Sequence, residues 1–163
     1  MNLGKIDNVD FAIYLAKKAN EANLEINVTK LQKLLYICYG LYLADTNDQL
    51  LHERPEAWQY GPFFPSVHAI QRKNNKRGLH TLENKKSSDD LRQYDYIIDP
   101  ILDHFGKWTA GGLVTWTHKS GNAWYIKYHM ENRKMTPLDN LDIISDFKKY
   151  IVSGAQVDAK ACV

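Results

Sequence analysis

Apolar residues recur every three to four positions through much of the chain, which is the spacing of one face of an α-helix. The long segments with this spacing are 8–22, 29–48, 88–105 and 141–151. Shorter helices are expected from Pro65, a favourable first helical residue, from Ala110 after the capping residue Thr109, and over 123–130. The pattern therefore predicts a helix-rich fold.

The second long segment has the clearest start and the widest apolar face. Thr29 and Gln32 have the T-x-x-Q spacing of a capping box, in which each side chain binds the backbone N–H of the other residue. The apolar positions that follow are Leu31, Leu34, Leu35, Cys38, Leu41 and Tyr42. Gly40 weakens the middle of this helix, which indicates that another element approaches closely there. We expect a helix that ends near 45–48 and holds Cys38 in the core.

The third and fourth long segments are less regular. Ser87 or Ser88 can cap the third helix, and Pro100 interrupts it. The helix either kinks at Pro100 or is followed there by a new helix that Asp99 caps. The apolar face of the fourth segment is expected to contain Leu141, Ile144, Phe147 and Ile151.

The segments between these helices indicate a small sheet and a long loop. The residues over 50–53 and 56–60 can both form strands, and we predict that they pair with each other. Gly61-Pro62 would end the second strand, and the polar, aperiodic stretch 72–88 is expected to be an exposed loop.

Together these elements predict a mainly α (α+β) fold. We expect one compact, single-domain helical bundle over residues 1–152, with six to seven helices and one small two-stranded β element. Residues 153–163 carry no helical pattern and are expected to form a flexible C-terminal tail.

Composition and charge narrow the class of protein. Of the 163 residues, 44% are hydrophobic and 25% are charged, and the formal net charge is +2. A dedicated nucleic-acid binder usually has a strong basic excess, whereas here basic residues are dense only in the loop near 72–77. The two cysteines match neither a zinc pattern nor a disulfide framework, and no stretch predicts a membrane span or signal peptide. We expect a cytoplasmic protein without a metal or cofactor.

Residues that can perform catalysis are present, but they match no catalytic motif. The six histidines form no H-x-x-x-H or H-E-x-x-H pair, and the chain has no nucleophile elbow, phosphate loop or C-x-x-C motif. His52 and Glu53 would converge with His68 if the strand and the following helix were adjacent. His118 follows a helix end, where an imidazolium is stabilised by the helix dipole. A hydrolytic or nucleic-acid-active protein is therefore the alternative to a non-catalytic binding protein.

Aromatic residues are concentrated around a Gly-Pro turn in the segment 56–68, EAWQYGPFFPSVH. Two of them would share one face of a strand, and the turn would present the next two at the surface. Rigid aromatic side chains lose little entropy on binding and are frequent interface anchors. The predicted partner-contact residues are Trp58, Tyr60, Phe63, Phe64, His68 and Arg72. The alternative is an aromatic core of Trp58, Tyr60 and Trp124 between the sheet and the helices.

Two ordered blocks of residues resemble the SocA-like antitoxin family, also called the Panacea domain. The residues that carry the resemblance are Leu31, Gln32, Lys33, Leu34, Tyr36, Leu51, Ala57, Trp58, Tyr60, Gly61, Pro62 and Pro65, then Leu113, Thr117, His118 and Trp124. The chain departs from the family pattern at Phe63 and Phe64, where aliphatic residues are typical, and at Ala123, where the family has Pro. The resemblance covers residues 9–151.

The resemblance implies a function without catalysis. Family members are antitoxins encoded beside a toxin, often on prophages or other mobile elements, and they neutralise the toxin by direct protein contact. In one branch the antitoxin is instead an adaptor that delivers its toxin to the ClpXP protease. The expected partner is therefore a cognate toxin from an adjacent gene, with ClpXP as the alternative second partner.

Lys33 lies beside the apolar face of the second helix and has several possible environments. Its stem can pack on an aromatic ring while the ammonium reaches solvent, or the ammonium can pair with Glu56. Lys33 can also form a polar cluster with Gln32 and His118, which would join the two matched blocks. We expect a structural role for this cluster.

Overall fold

The computed structural model describes residues 4–74, 77–86, 88–152 and 156–157. The helices are α1 (Asn8–Glu21), α2 (Val28–Thr46), α3 (Pro65–Lys73), α4 (Ser88–Leu91), α5 (Asp95–Phe105), α6 (Ala110–Thr117), α7 (Ala123–Tyr125, continued by a π-helical turn over Ile126–Met130) and α8 (Asn140–Phe147). Short 3₁₀ turns occupy Leu79–Thr81, Arg92–Tyr94 and Lys148–Tyr150. The strands are β1 (Glu56–Trp58), β2 (Gly61–Phe63), β3 (Ile151–Val152) and β4 (Gln156–Val157).

Helix α2 is the centre of the fold, because every residue from Lys30 to Leu43 is buried. A helix that is covered on all sides lies in the core and is surrounded by other elements. Helices α5, α6 and α8 and strand β2 pack around it. A Cβ on Gly40 would collide with the ring of Phe147 in α8, which confirms the predicted close approach. Cys38 is 0% exposed, as predicted.

The predicted capping box at the start of α2 is wrong. Asn27 is the N-cap residue, and its side chain accepts a hydrogen bond from the backbone N–H of Lys30 at 2.8 Å. The helix consequently begins at Val28, before Thr29. Gln32 can therefore bind a distant part of the chain, since the first turn of the helix is already capped.

The helical part of the prediction agrees closely with the structure at several starts. Helix α3 begins at Pro65, and the side chain of Thr109 caps α6 by accepting from the Gly112 N–H at 3.0 Å. Helix α5 runs through Pro100 without a new start at Asp99, so the prediction of a cap there is wrong. The third helical segment instead changes to a 3₁₀ turn before Asp95.

Strands β1 and β2 form an antiparallel hairpin with Trp58 opposite Gly61, so that Gln59 and Tyr60 make a two-residue loop. The prediction that 50–53 pairs with 56–60 is wrong, because Leu51 forms a parallel bridge with Ile6 near the start of α1. Gly61 and Pro62 also lie inside β2 rather than ending the sheet. The positive φ of Gly61, +108°, accommodates the tight turn, and glycine adopts that angle readily.

The stretch 72–88 is not a simple exposed loop. Leu79 is 2% exposed and lies in a 3₁₀ turn. The buried carboxylate of Asp10 in α1 accepts hydrogen bonds from the backbone N–H groups of Lys85 and Lys86 and from the side chain of Asn84. These contacts hold the described part of the stretch against α1.

In the last helix, Ile143 and Phe147 are buried, but Leu141 is 81% exposed, so its predicted inward position is wrong.

The prediction of a mainly α, single-domain fold with one small two-stranded element is confirmed. A second minimal pair, β3 with β4, was not predicted. The boundary between a domain over 1–152 and a tail over 153–163 stays a prediction, because most of the tail lies outside the described residues. None of the described helices combines the length and apolar character needed to cross a bilayer.

Candidate functional site

A cavity of about 230 Å³ lies between the β1–β2 hairpin, the first turns of α2 and the start of α3. We call it the hairpin cavity. Its lining residues are Val28, Thr29, Gln32, Lys33, Trp58, Gln59, Tyr60, Gly61, Phe63 and His68. Four of the six predicted contact residues therefore line the same cavity, and three further residues of the first matched block, Gln32, Lys33 and Gly61, line it with them.

Gln32 joins α2 to the start of α3 by two hydrogen bonds to the backbone of a single residue. Its side-chain oxygen accepts from the Phe64 N–H at 2.8 Å, and its Nε2 donates to the Phe64 carbonyl at 3.2 Å. Gln32 is 1% exposed, so these bonds satisfy backbone groups that have no access to water. They fix the chain between the hairpin and α3.

This arrangement corrects the prediction for Phe64. The side chain is 0% exposed and packs edge-on against Tyr39 of α2, with ring centroids 6.1 Å apart. Phe64 is thus a core residue and has no surface to offer a partner. Phe63 behaves differently, because it alternates to the other side of the chain and lines the hairpin cavity.

Lys33 is a buried lysine, with only 1% of its surface exposed. Its Nζ donates to the Pro62 carbonyl at 3.1 Å. The predicted alternatives, an ammonium in solvent or a pair with Glu56, are both wrong, since the Glu56 carboxylate instead accepts from the Trp58 indole N–H at 2.8 Å. Burial lowers the pKa of Lys33 to about 8, because desolvation disfavours the charged form.

Gly61 lies where the two matched blocks of the sequence meet. A Cβ there would be 2.8 Å from Thr117 Oγ1 and 3.0 Å from Lys33 Cε. The hairpin therefore fits between the end of α6 and the first turns of α2 only because this residue has no side chain. The two blocks are therefore in close packing contact around the backbone turn at Gly61.

Stacked rings from the second block pack against the hairpin and support it. His118 stacks on Trp124 with centroids 3.8 Å apart and planes within 4°, and the Trp124 indole N–H donates to the Trp58 carbonyl at 2.7 Å. Burial lowers the pKa of His118, and its hydrogen bond with the Tyr60 backbone opposes part of that effect. Trp124 is 2% exposed, so it belongs to the aromatic core of the alternative prediction.

The remaining aromatic residues form the rim of the hairpin cavity. Phe63 contacts Trp58 and His68, with centroid distances of 4.7 and 5.0 Å. Tyr60 lies in the hairpin loop and is 66% exposed, so its predicted place in a strand beside Trp58 is wrong. Arg72 is exposed on α3 but does not line the cavity, and its role as a contact residue stays a prediction.

The histidines of the catalytic alternative lie in three different environments. The His52 N–H binds the Ile6 carbonyl near α1, while His68 packs on Phe63 and His118 stacks on Trp124. Within the described residues, no set of three or more His, Cys, Asp or Glu side chains could hold a metal ion. The contacts of His52 in that part of the chain thus differ from those of the other two histidines.

Sequence reasoning missed a second concave surface. A groove of about 1130 Å³ is bordered by the α1–α2 connection, residues 77–80 and residues 106–110. Lys30 lines it and donates to the backbone carbonyls of Gly106 and Glu25, which ties α2 to the end of α5. The helical spacing of Lys30 gave no signal for this role, because the acceptors belong to other elements of the fold.

Comparison with known proteins assigns a family to this architecture. Residues 31–125 match the family described as "Antitoxin SocA-like, Panacea domain". A curated relative, Antitoxin SocA from Caulobacter vibrioides (strain NA1000 / CB15N), is 29% identical over 134 residues, which span 74% of this chain and 70% of the relative. No solved structure gives a significant match. The matched region contains most of α2, the hairpin, α6 and the stacked Trp124, which build and support most of the hairpin cavity.

Proposed function

Because the chain belongs to the SocA-like antitoxin, Panacea-domain family, we propose that it neutralises a cognate toxin by direct protein contact. Family membership supports the antitoxin role, and the toxin is expected from the adjacent gene. The proposal includes a cytoplasmic location and no catalytic step. The contact surface is the rim of the hairpin cavity, formed by Trp58, Tyr60, Phe63 and His68.

The observation that supports this surface is an aromatic rim on a rigid support, in which Tyr60 is exposed and the other three residues are half-buried. The Ala57 N–H donates to the Thr136 carbonyl at 2.9 Å, and the Met135 N–H donates to the Ala57 carbonyl at 2.7 Å, so β1 is held on both edges. The hydrogen bond from Trp124 to the Trp58 carbonyl adds a third support. A surface that is already ordered loses little entropy on binding, and aromatic side chains are typical of interface hot spots.

The first experiment tests the function itself. The product of the adjacent reading frame is expressed alone and together with the antitoxin, and growth and co-purification are measured. We expect growth arrest by the toxin alone, rescue on co-expression and a stable complex of the two proteins. A harmless neighbour that does not co-purify would remove the proposal. If rescue requires ClpXP and the amount of toxin falls, the mechanism is delivery of the toxin to the protease and not direct blocking.

The second experiment tests the surface. Tyr60→Ala removes an exposed ring, so we expect the affinity for the toxin to fall at least about tenfold with unchanged folding stability. Tyr96→Ala is the matched control, because Tyr96 is 42% exposed on α5 and does not line the cavity. Equal toxin affinity in both variants would place the contact surface elsewhere.

A further inference from the structure

The charge of Lys33 is not compensated by any acidic group that the structure describes. An ammonium group has three N–H donors, and Lys33 uses one of them, on the Pro62 carbonyl. Across the described ranges it forms no ion pair with Asp or Glu, and burial is what lowers its pKa. A buried cation normally has a charged or fully hydrogen-bonded partner, so Lys33 has the capacity to bind an acceptor from outside.

The hairpin cavity provides the space for that acceptor. Lys33 lines this cavity, and none of the described acidic residues does. The cavity also meets the first turn of α2, a helix of 19 residues, at Val28 and Thr29. The positive end of a helix dipole favours an anion, as does the nearby ammonium. Both effects therefore select a negatively charged group.

The size and position of the cavity indicate a group from a protein. A volume of about 230 Å³ is below the roughly 300–1,000 Å³ of cavities that enclose drug-sized ligands. It suits one inserted side chain or chain terminus. Tyr60 and Trp58 line the same cavity, so a partner that covers the aromatic rim would also close it.

We infer that the hairpin cavity binds one carboxylate of the toxin, an Asp or Glu side chain or the C-terminal group, through the Lys33 ammonium. The inference rests on the proposed function, since it identifies the chemistry of the toxin group at the same surface. The carboxylate accepts hydrogen bonds from the remaining N–H groups of Lys33, and its apolar stem contacts the rings of Trp58 and Phe63. Lys33 would thus be a specificity residue for the partner.

The cavity is tested first with small probes, phenylacetate and the uncharged phenylacetamide of the same shape. Binding is followed through the Trp indole N–H signals in NMR spectra of the full chain. We expect phenylacetate to bind wild type at least about tenfold more tightly than phenylacetamide. Lys33→Met should abolish that preference, and Lys30→Met should keep it, because Lys30 is a buried lysine of the same helix that does not line the cavity. Equal binding of the two probes, or no binding, overturns the inference.

The source of the carboxylate is tested with the toxin. We expect Lys33→Met to weaken toxin binding at least about tenfold, Lys30→Met to leave it unchanged, and phenylacetate to compete with the toxin. Wild-type affinity retained in Lys33→Met overturns the inference while the proposed function stands. Absence of a wild-type complex overturns the proposed function and, with it, the toxin as the source. Phenylacetate binding without competition identifies a free small carboxylate instead and overturns the inference.

Discussion

Replacing Lys33 with methionine measures directly what the buried ammonium does to stability. Methionine is similar in length and apolar, so it can fill the same space without the charge. It also removes the hydrogen bond to the Pro62 carbonyl, which is buried in β2. The variant therefore separates two effects of opposite sign: relief of desolvation and loss of a hydrogen bond.

The sign and size of the first effect follow from the pKa of Lys33, which burial lowers from 10.5 to about 8. The folded state binds fewer protons than the unfolded state between these two values, so the stability of wild type rises with pH across that window. Below the folded pKa the full penalty of about 3 kcal/mol applies, because each pH unit between the two pKa values corresponds to about 1.4 kcal/mol. The lost hydrogen bond costs Lys33→Met about 1–3 kcal/mol, which largely offsets the relief at neutral pH.

The change with pH is the sharper measurement, because the hydrogen-bond loss is common to all pH values. From pH 7 to pH 9.5, the stability of wild type should rise by about 2 kcal/mol relative to Lys33→Met. Burial lowers the pKa of His118, which moves the titration of this histidine away from the window. Lys119→Met, which removes an exposed lysine, controls for the loss of one positive charge.

The assay is urea unfolding at constant ionic strength, followed by Trp fluorescence and circular dichroism, at half-unit steps of pH. Urea is preferred to guanidinium because it does not screen charges. The reasoning is refuted if the difference between wild type and Lys33→Met is independent of pH, or if Lys119→Met shows the same dependence. The first result would mean that burial does not lower the pKa of Lys33. The second would mean that the pH dependence comes from the loss of any positive charge.

Three further predictions test the packing around the site by the same unfolding measurement. Gly61→Ala forces a Cβ into occupied space at φ +108°, and we expect the free energy of unfolding to fall by more than about 2 kcal/mol. Gly111 has open space around it, so Gly111→Ala should leave the stability unchanged or raise it by up to about 1 kcal/mol. Asn27→Ala should lower the stability by about 1 kcal/mol, because it removes the α2 cap, and Thr29→Ala by less than about 0.5 kcal/mol. A larger loss in Thr29→Ala than in Asn27→Ala would support the capping box instead. Gln32→Met should cost about 1–3 kcal/mol, because it leaves the buried Phe64 N–H unpaired, while the Phe64 carbonyl keeps its hydrogen bond from the His68 N–H. An unchanged unfolding midpoint would show that the Phe64 N–H finds another partner.

Local patterns in the chain were enough to locate several helix starts and part of what the helices bury. Periodicity and capping are local properties, so Pro65 and Thr109 identified two helix starts correctly. The burial of Cys38 and the close approach at Gly40 also followed from the apolar face of one helix. The family could be identified without coordinates because its two residue blocks are ordered motifs.

Which groups meet in space depended instead on how the elements pack together. Gln32 has the spacing of a helix cap, yet it binds the backbone of Phe64, 32 residues away. Phe63 and Phe64 are adjacent along the chain, and the direction of β2 into α3 sends one to the cavity and the other to the core. The position of Lys33 suggests the edge of an apolar face, but α2 is covered on every side, so its charge is buried. Burial depends on which elements surround a helix, and a periodic pattern describes only the helix itself.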